Sequence, residues 1–189
     1  MAVLLYTVIV SLDGYTVDAD GKFDWAEPAE DVHAHVNEQE RSIGTYLYGR
    51  RLYETMAVWE ALGTGPDDPP VIREYGEVWR SADKVVYSTG LDAVSTSRTR
   101  IERTFDPEAV RALKAAADGE LSVGGATLAA AALRAGLVDE CRIYVAPAVV
   151  GGGTRWLPDE IRLTLDLLDE HRFASGMIYL RYAVRPSAR

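Results

Sequence analysis

Two short segments of this chain pass from a strand pattern into a helix pattern through glycine, and both could bind an anion. The first, residues 45–54, passes through Gly49, and the second, residues 121–128, through Gly124 and Gly125. A helix that begins at glycine offers free N–H groups and a partial positive charge to a phosphate, and it lets the ligand approach closely. Because the first segment continues with two arginines, the pair predicts a long polyanionic ligand such as a dinucleotide.

Other kinds of site find little support in the sequence. It contains neither a Gly-x-Ser-x-Gly elbow, nor a Gly-x-x-x-x-Gly-Lys phosphate loop, nor Rossmann Gly-x-Gly-x-x-Gly spacing. The only histidines are His33, His35 and His171. His33 and His35 are two residues apart in a predicted helix, so they face different ways and are expected to be solvated rather than to hold a metal.

Composition narrows the class of protein. The 189 residues are 48% hydrophobic and carry a net charge of −9, which predicts one packed domain spanning 1–189 and no nucleic-acid partner. Cys141 is the only cysteine, so we expect an inert core thiol and a reducing compartment. No apolar run approaches the roughly 20 residues that cross a bilayer. We therefore expect a cytoplasmic protein with no membrane partner.

The periodicity of apolar residues predicts an α/β fold with three layers, α-β-α, and a mostly parallel central sheet. An antiparallel pair of strands is expected at the C-terminal edge of this sheet. Residues 11–24 and the glycines at 151–153 are predicted to be loops. The predicted strands are 2–10, 45–48, 84–88, 99–104, 120–123, 141–150, 163–168 and 177–184, and the predicted helices 28–42, 50–58, 71–81, 106–117 and 126–135.

Several motifs resemble those of the dihydrofolate reductase fold, and within it the reductase domain of bacterial riboflavin-biosynthesis deaminase–reductases and their stand-alone relatives. The similarity extends over nearly the whole chain. The motifs are Ser11-Leu12-Asp13-Gly14, Gly49-Arg50-Arg51-Leu52-Tyr53-Glu54, Val85-Val86-Tyr87-Ser88-Thr89, Val123-Gly124-Gly125 and Leu137-Val138-Asp139-Glu140.

This resemblance implies NADPH as the cofactor. It assigns the 2′-phosphate to Arg50, Arg51, Ser88 and Thr89, and it implies a cis peptide between the paired glycines. Leu52 stands where the family usually has threonine. The other implied cofactor contacts are the backbone of Val8 and Ile9 at the nicotinamide, and Gly49, Leu52, Val123, Gly124, Gly125, Ala126, Thr127 and Leu128 along the pyrophosphate.

On the substrate side, the resemblance implies Asp13 and Glu30 as catalytic carboxylates, with the loop 11–24 as a lid. A carboxyl group is needed because protonating nitrogen assists hydride addition to a C=N bond. An acid in the first turn of a helix, as at Glu30, can equally serve the helix dipole alone. The implied substrate-binding residues are Ser11, Trp25, Glu30 and Tyr53.

The implied function is an NADPH-dependent reductase for a pyrimidine-type substrate of riboflavin biosynthesis, acting as a homodimer. Two alternatives stay open: a dihydrofolate reductase-like activity on a pterin, and an NADP-binding module without catalysis. Folate reductases differ from this chain at Ala146, where they have threonine, and at Ala82, where they have the arginine that binds the glutamate tail.

Overall fold

A twisted sheet of eight strands forms the centre of the computed structural model, which describes residues 1–185. Two further short strands pair with each other outside it. The ten strands are β1 Leu4–Ser11, β2 Tyr15–Val17, β3 Ile43–Gly49, β4 Asp83–Tyr87, β5 Thr99–Glu102, β6 Glu120–Gly124, β7 Glu140–Ala146, β8 Thr154–Arg155, β9 Thr164–Arg172 and β10 Ile178–Arg185.

Five α-helices connect the parallel strands. α4 shows why these segments fold locally: Asp106 accepts the N–H of Glu108 at 2.9 Å as N-cap, and Pro107 occupies the first turn. The helices are α1 Glu30–Glu40, α2 Arg50–Met56, α3 Pro70–Ser81, α4 Pro107–Ala116 and α5 Ala126–Arg134, with 3-10 turns at Asp24–Ala26 and Ala57–Glu60.

The strand order in space is β5-β4-β3-β6-β1-β7-β10-β9. The first six strands run parallel, and β10 is antiparallel to both β7 and β9. Parallel strands need crossover connections, so both faces of the sheet carry helices. α4 and α5 cover one face and α1, α2 and α3 the other. The predicted three-layer α/β architecture with an antiparallel edge is confirmed.

One predicted loop contains a short strand and another short strand directly follows the second predicted loop, and the sequence patterns indicated neither strand. β2 lies within 11–24 and pairs with β8, which directly follows the glycines at 151–153. The predicted strand 141–150 is also too long, because Pro147 cannot donate to the ladder and β7 ends at Ala146.

The single cysteine is a core residue. Cys141 is fully buried, so its predicted core position is confirmed, and burial raises the pKa of its thiol to about 12, which disfavours the reactive thiolate. Within residues 1–185, no helix combines the length and apolar character needed to cross a bilayer.

Candidate functional site

The two glycine junctions lie side by side at the carboxyl edge of the sheet. β3 and β6 are neighbours, with Tyr48 opposite Gly124. A Cβ built on Gly125 would lie 3.7 Å from the backbone nitrogen of Gly49, and one on Gly124 would lie 2.4 Å from Cδ2 of Leu52. The structure therefore brings together the segments that the sequence singled out separately, and a side chain at Gly124 would require Leu52 and Tyr48 to shift.

The sheet opens beside these junctions, between β1 and β6. The β1–β6 pairing is confined to Leu4 and Leu5, whereas β1 stays paired with β7 as far as Ser11 opposite Ala146. Beyond Leu5, the edge of β1 that faces β6 has no strand partner among the described residues. A crevice at the carboxyl ends of parallel strands is a characteristic ligand site of α/β folds.

The direction of the backbone groups decides which residues of β1 face this opening. The carbonyl of Val3 accepts the N–H of Leu121 in β6, and the carbonyl of Leu4 accepts the N–H of Asp139 on the β7 side. Backbone groups alternate along a strand, so those of Thr7 and Ile9 point into the opening. The backbone of Ile9 therefore faces the opening, in agreement with its predicted role. The backbone of Val8 points toward β7 instead, so the second residue of β1 that faces the opening is Thr7 and not Val8.

The turn after β4 carries the predicted phosphate-binding hydroxyls. Ser88 is buried, and its Oγ accepts the N–H groups of Gly90 at 3.3 Å and Leu91 at 3.0 Å, which leaves its own O–H free to donate. Thr89 is exposed. Arg50 reaches the same turn, because a Cβ built on Gly90 would lie 3.7 Å from its Nη1.

Both predicted arginines are exposed at the start of α2. Arg50 forms an ion pair with Glu54 at 2.8 Å, one helical turn away. An exposed pair of this kind is weak, so the guanidinium remains available to an anion. The side chain of Arg51 is exposed as well.

The turn into α5 is made by Gly125, whose φ is +91°. The peptide bonds of the described residues are all trans, so the cis peptide expected at the paired glycines is absent from them and positive φ makes the turn instead. The first turn of α5 borders an open cleft of about 420 Å³. Its lining consists of Tyr15, Ala126, Thr127, Gly153, Thr154, Arg155, Leu157, Pro158 and Asp159.

Arg155 is a cleft residue that the sequence analysis missed. Its guanidinium lies 5.0 Å from the ring centre of Tyr15, across the β2–β8 pair. No local pattern relates two residues so far apart in the chain. The sequence patterns predicted only that residues 11–24 and 151–153 are loops, and the contact between these regions comes from the β2–β8 pairing.

Glu30 lies at a second cleft, of about 660 Å³, on the opposite face of the sheet. It is exposed in the first turn of α1. Trp25 packs nearby against the cluster around Val32 and Tyr144, and its Nε1 is buried without a hydrogen-bond partner among the described residues. The cleft is lined by Ala29, Glu30, Asp31, Ala34, Val71, Ala174 and Ser175.

Asp13 is not at the cleft of Glu30. Its carboxylate accepts the N–H of Val150 at 3.1 Å and of Gly151 at 2.8 Å. The hydroxyl of Ser11, followed by these two N–H groups, stabilises the carboxylate and lowers the pKa of Asp13, although desolvation partly opposes the shift. Ser11 is buried, and its Oγ also accepts the N–H of Tyr15 at 3.0 Å. A carboxylate with a lowered pKa, engaged by backbone donors, is suited to holding loops together rather than to donating protons.

Tyr53 is a core residue, and its predicted contact with substrate needs correction. It is 3% exposed. Its hydroxyl accepts the N–H of Ser95 at 2.9 Å and lies 3.1 Å from Oγ1 of Thr96. These contacts hold the loop that leads into β5, and the burial of Tyr53 places its hydroxyl in the core rather than at a cleft.

The helix histidines are half-buried, not solvated as expected. His33 packs against Trp59 and Tyr75. His35 has Nδ1 at 2.9 Å from the hydroxyl of Tyr144, and its ring stacks on His171. Among residues 1–185, no group of three His, Cys, Asp or Glu side chains could hold a metal ion.

This strand order and the opening beside β1 define a dihydrofolate reductase-like fold, and known structures share it. A protein named for riboflavin biosynthesis from Shewanella sp. PV-4 is 19% identical, with a TM-score of 0.77 over 98% of this chain and 100% of its own. A pyrimidine reductase-like protein from Corynebacterium diphtheriae is 15% identical, with a TM-score of 0.67 over 98% and 93%.

A longer protein shares the fold over part of its length. The diaminohydroxyphosphoribosylaminopyrimidine deaminase/5-amino-6-(5-phosphoribosylamino)uracil reductase of Thermotoga maritima is 16% identical, with a TM-score of 0.67. The similarity covers 97% of this chain and 57% of that protein.

The family follows from the sequence itself. Residues 2–179 match the model of the RibD C-terminal domain, and the chain belongs to that family. An uncharacterized protein of Bacillus subtilis (strain 168), YyaP, is 26% identical over 182 residues, which is 95% of this chain and 93% of that protein.

Proposed function

We propose that this protein is an NADPH-dependent reductase of the riboflavin-pathway type, acting on a pyrimidine such as 5-amino-6-(5-phosphoribosylamino)uracil. The observation that carries the proposal is the opening between β1 and β6, flanked by both glycine junctions. Membership of the RibD C-terminal domain family supports a reductase. A homodimer and a cytoplasmic location belong to the same proposal.

The residues around the opening fit a dinucleotide. The backbone of Thr7 and Ile9 offers donors and acceptors to an amide such as that of nicotinamide. The N-terminus of α5 after Gly125 suits a pyrophosphate. The exposed guanidiniums of Arg50 and Arg51, together with the hydroxyls of Ser88 and Thr89, suit the 2′-phosphate.

The cofactor, when bound, supplies the hydride, and the chain supplies orientation, shielding and a proton. Glu30 is the proposed proton donor, because it is an exposed carboxyl group in the first turn of α1 and lines an open cleft. We reassign Asp13 to positioning: through Val150 and Gly151 it holds the loop 11–24 against the loop after β7. That tether would let the loop 11–24 exclude water from the reacting atoms.

Folate reduction is the weaker alternative. Ala82 is buried and has no group for a glutamate tail. Arg80 would replace the missing arginine only with a shift in register, and its Nη1 already donates to the carbonyls of Trp59 at 2.8 Å and Leu62 at 2.9 Å. Ala146, buried at the end of β7, likewise lacks a hydroxyl.

The testing experiment is a fluorescence titration with NADPH and NADH, followed by an oxidation assay with the phosphoribosylamino-pyrimidine and with dihydrofolate. We expect tight NADPH binding, weak NADH binding and turnover of the pyrimidine. Binding of neither dinucleotide would refute the reductase. Bound NADPH that no substrate oxidises would favour the NADP-binding module, and turnover of dihydrofolate alone would favour the pterin enzyme.

A further inference from the structure

A third arginine stands in line with the proposed phosphate site, although none of the sequence motifs includes it. Gly49 of β3 is in register with Tyr87 of β4, and Tyr87 with Glu102 of β5. Neighbouring strands are about 4.8 Å apart, so the residues that follow these three positions form a row at the carboxyl edge. The row consists of Arg50, Ser88 and Arg103.

The guanidinium of Arg103 is held at the turn after β4. Its Nη1 donates to the carbonyl of Ser88 at 3.1 Å and to that of Leu91 at 2.7 Å. The Nη2 and Nε groups make no hydrogen bond within residues 1–185 and remain available as donors. The neighbouring arginines Arg50 and Arg100 have carboxylate partners, whereas Arg103 has none in the described part of the chain.

The row places one buried hydroxyl between two guanidiniums. Arg50 approaches the turn at Gly90, and Arg103 holds it by the carbonyls of Ser88 and Leu91. The Ser88 hydroxyl, which accepts two backbone N–H groups, keeps its own hydrogen to donate. In a protein of net charge −9, Arg103, together with Arg50 and its partner Glu54, leaves a net positive charge beside this donor. Guanidinium groups match the oxygens of a phosphate monoester in geometry and charge.

We propose that Arg103 is a specificity-determining residue that binds the 2′-phosphate of NADPH together with Arg50 and Ser88. This inference rests on the proposed function and adds to it a residue that discriminates NADPH from NADH. The two carbonyl contacts hold the guanidinium before the ligand arrives, which lowers the entropy lost on binding.

The experiment compares Arg103→Met with Arg100→Met, a matched control that removes an exposed arginine from the same strand. Fluorescence titrations measure the affinities for NADPH and NADH, and competition with NADPH measures the affinity for adenosine 2′-phosphate. We expect Arg103→Met to weaken NADPH and adenosine 2′-phosphate by about 10- to 100-fold, as for the loss of one or two charge-assisted hydrogen bonds. NADH binding should stay unchanged, and Arg100→Met should alter neither dinucleotide.

The outcomes separate this inference from the function on which it rests. Equal weakening of NADPH and NADH by Arg103→Met would mean that Arg103 only holds the turn, and would overturn the inference. Unchanged affinities for both dinucleotides would also overturn the inference. In either case the proposed reductase function would remain supported. If the unmodified protein binds neither dinucleotide, both proposals fail. If Arg103→Met does not fold, Arg103→Lys provides a second test, because it keeps the charge but not the planar fork. This variant should still lower the affinity for NADPH relative to that for NADH.

Discussion

At the scale of single residues, local patterns identified glycines and charges but not the partners of polar side chains. Gly49, Gly124 and Gly125 could be predicted because a strand end followed by glycine and a helix is a local signal. The roles of Tyr53 and Asp13 could not, since their hydrogen-bond partners lie 42 and about 137 residues away. A hydroxyl or carboxylate looks the same in sequence whether it faces a ligand or a distant loop.

Gly124 shows a constraint set by space alone. Its φ is not positive, so other residues could adopt its backbone conformation. A Cβ there would nevertheless lie 2.4 Å from Cδ2 of Leu52 and 3.1 Å from the ring of Tyr48. We therefore expect Gly124→Ala to lower the free energy of unfolding by about 1–3 kcal/mol, the usual cost of overpacking, as measured by urea denaturation.

Two further variants test this explanation. Gly152→Ala is the matched control, because a Cβ there would meet nothing within 4 Å. Adding Leu52→Ala to Gly124→Ala should recover part of the lost stability, since the variants share one contact. Equal stability of Gly124→Ala and the unmodified protein would show that the junction can relax.

Glu30 can be separated from its neighbour in the same helical turn. We expect Glu30→Gln to lower kcat about 100-fold, the low end for a lost general acid, with NADPH affinity unchanged. Asp31→Asn is the matched control, because Asp31 lines the same cleft and also carries charge near the start of α1. Steady-state kinetics compares the two variants. A similar effect of both would assign Glu30 to the helix dipole rather than to catalysis.

At the scale of elements, helices and long strands followed from periodicity, but short strands did not. β2 and β8 have three and two residues, too few for a periodic signal, and each depends on pairing with the other. The opening between β1 and β6 could not be predicted from the sequence either. Each of the two strands has a regular strand pattern, and the sequence does not show where the pairing between them ends.

Asp13 links two loops that are far apart in the sequence. We expect Asp13→Ala to speed hydrogen exchange at the amides of Val150 and Gly151, which lose their acceptor. Exchange measured by mass spectrometry or NMR checks this. Asp18→Ala is the control, because Asp18 accepts only the N–H groups of Asp20 and Lys22 within its own loop. Unchanged exchange at 150–151 would contradict the tether.

The same tether depends on pH. The pKa of Asp13 is lowered in the folded protein, so its contribution to stability is present above the ordinary carboxyl pKa and is lost as the pH falls through the folded value. The protection of Val150 and Gly151 should therefore persist at neutral pH and decline only in acid.

At the scale of the whole molecule, the order of strands creates sites that no segment contains. Arg103 follows β5 in the same row as Arg50 only because β3, β4 and β5 are neighbours. His35 similarly meets groups from three other elements: Tyr144 of β7, His171 of β9 and Tyr179 of β10. From the sequence, His35 is expected to be solvated, because a predicted helix does not show which of its faces the sheet will cover.

The position of His35 predicts how global stability responds to pH. Burial, followed by the neighbouring His171, lowers the pKa of His35 below its ordinary value of 6.5, although Glu38 and Asp169 partly oppose the shift and Arg142 adds to it. Between the folded pKa and 6.5 the unfolded chain binds more protons, so stability rises with pH in that window and is lost on acidification. We expect the melting temperature to fall from pH 7 to pH 5 less steeply in His35→Gln than in the unmodified protein.

His171→Gln distinguishes a charge effect from a packing effect. It removes the neighbouring imidazole that lowers the pKa of His35 but leaves His35 among Tyr144, Phe173 and Tyr179. The pKa of His35 should then move back toward its ordinary value, and the acid loss of stability should shrink while remaining larger than in His35→Gln. Parallel melting curves for all three proteins between pH 7 and pH 5 would show that protonation of His35 is not coupled to folding, and that its contacts contribute to stability through packing alone.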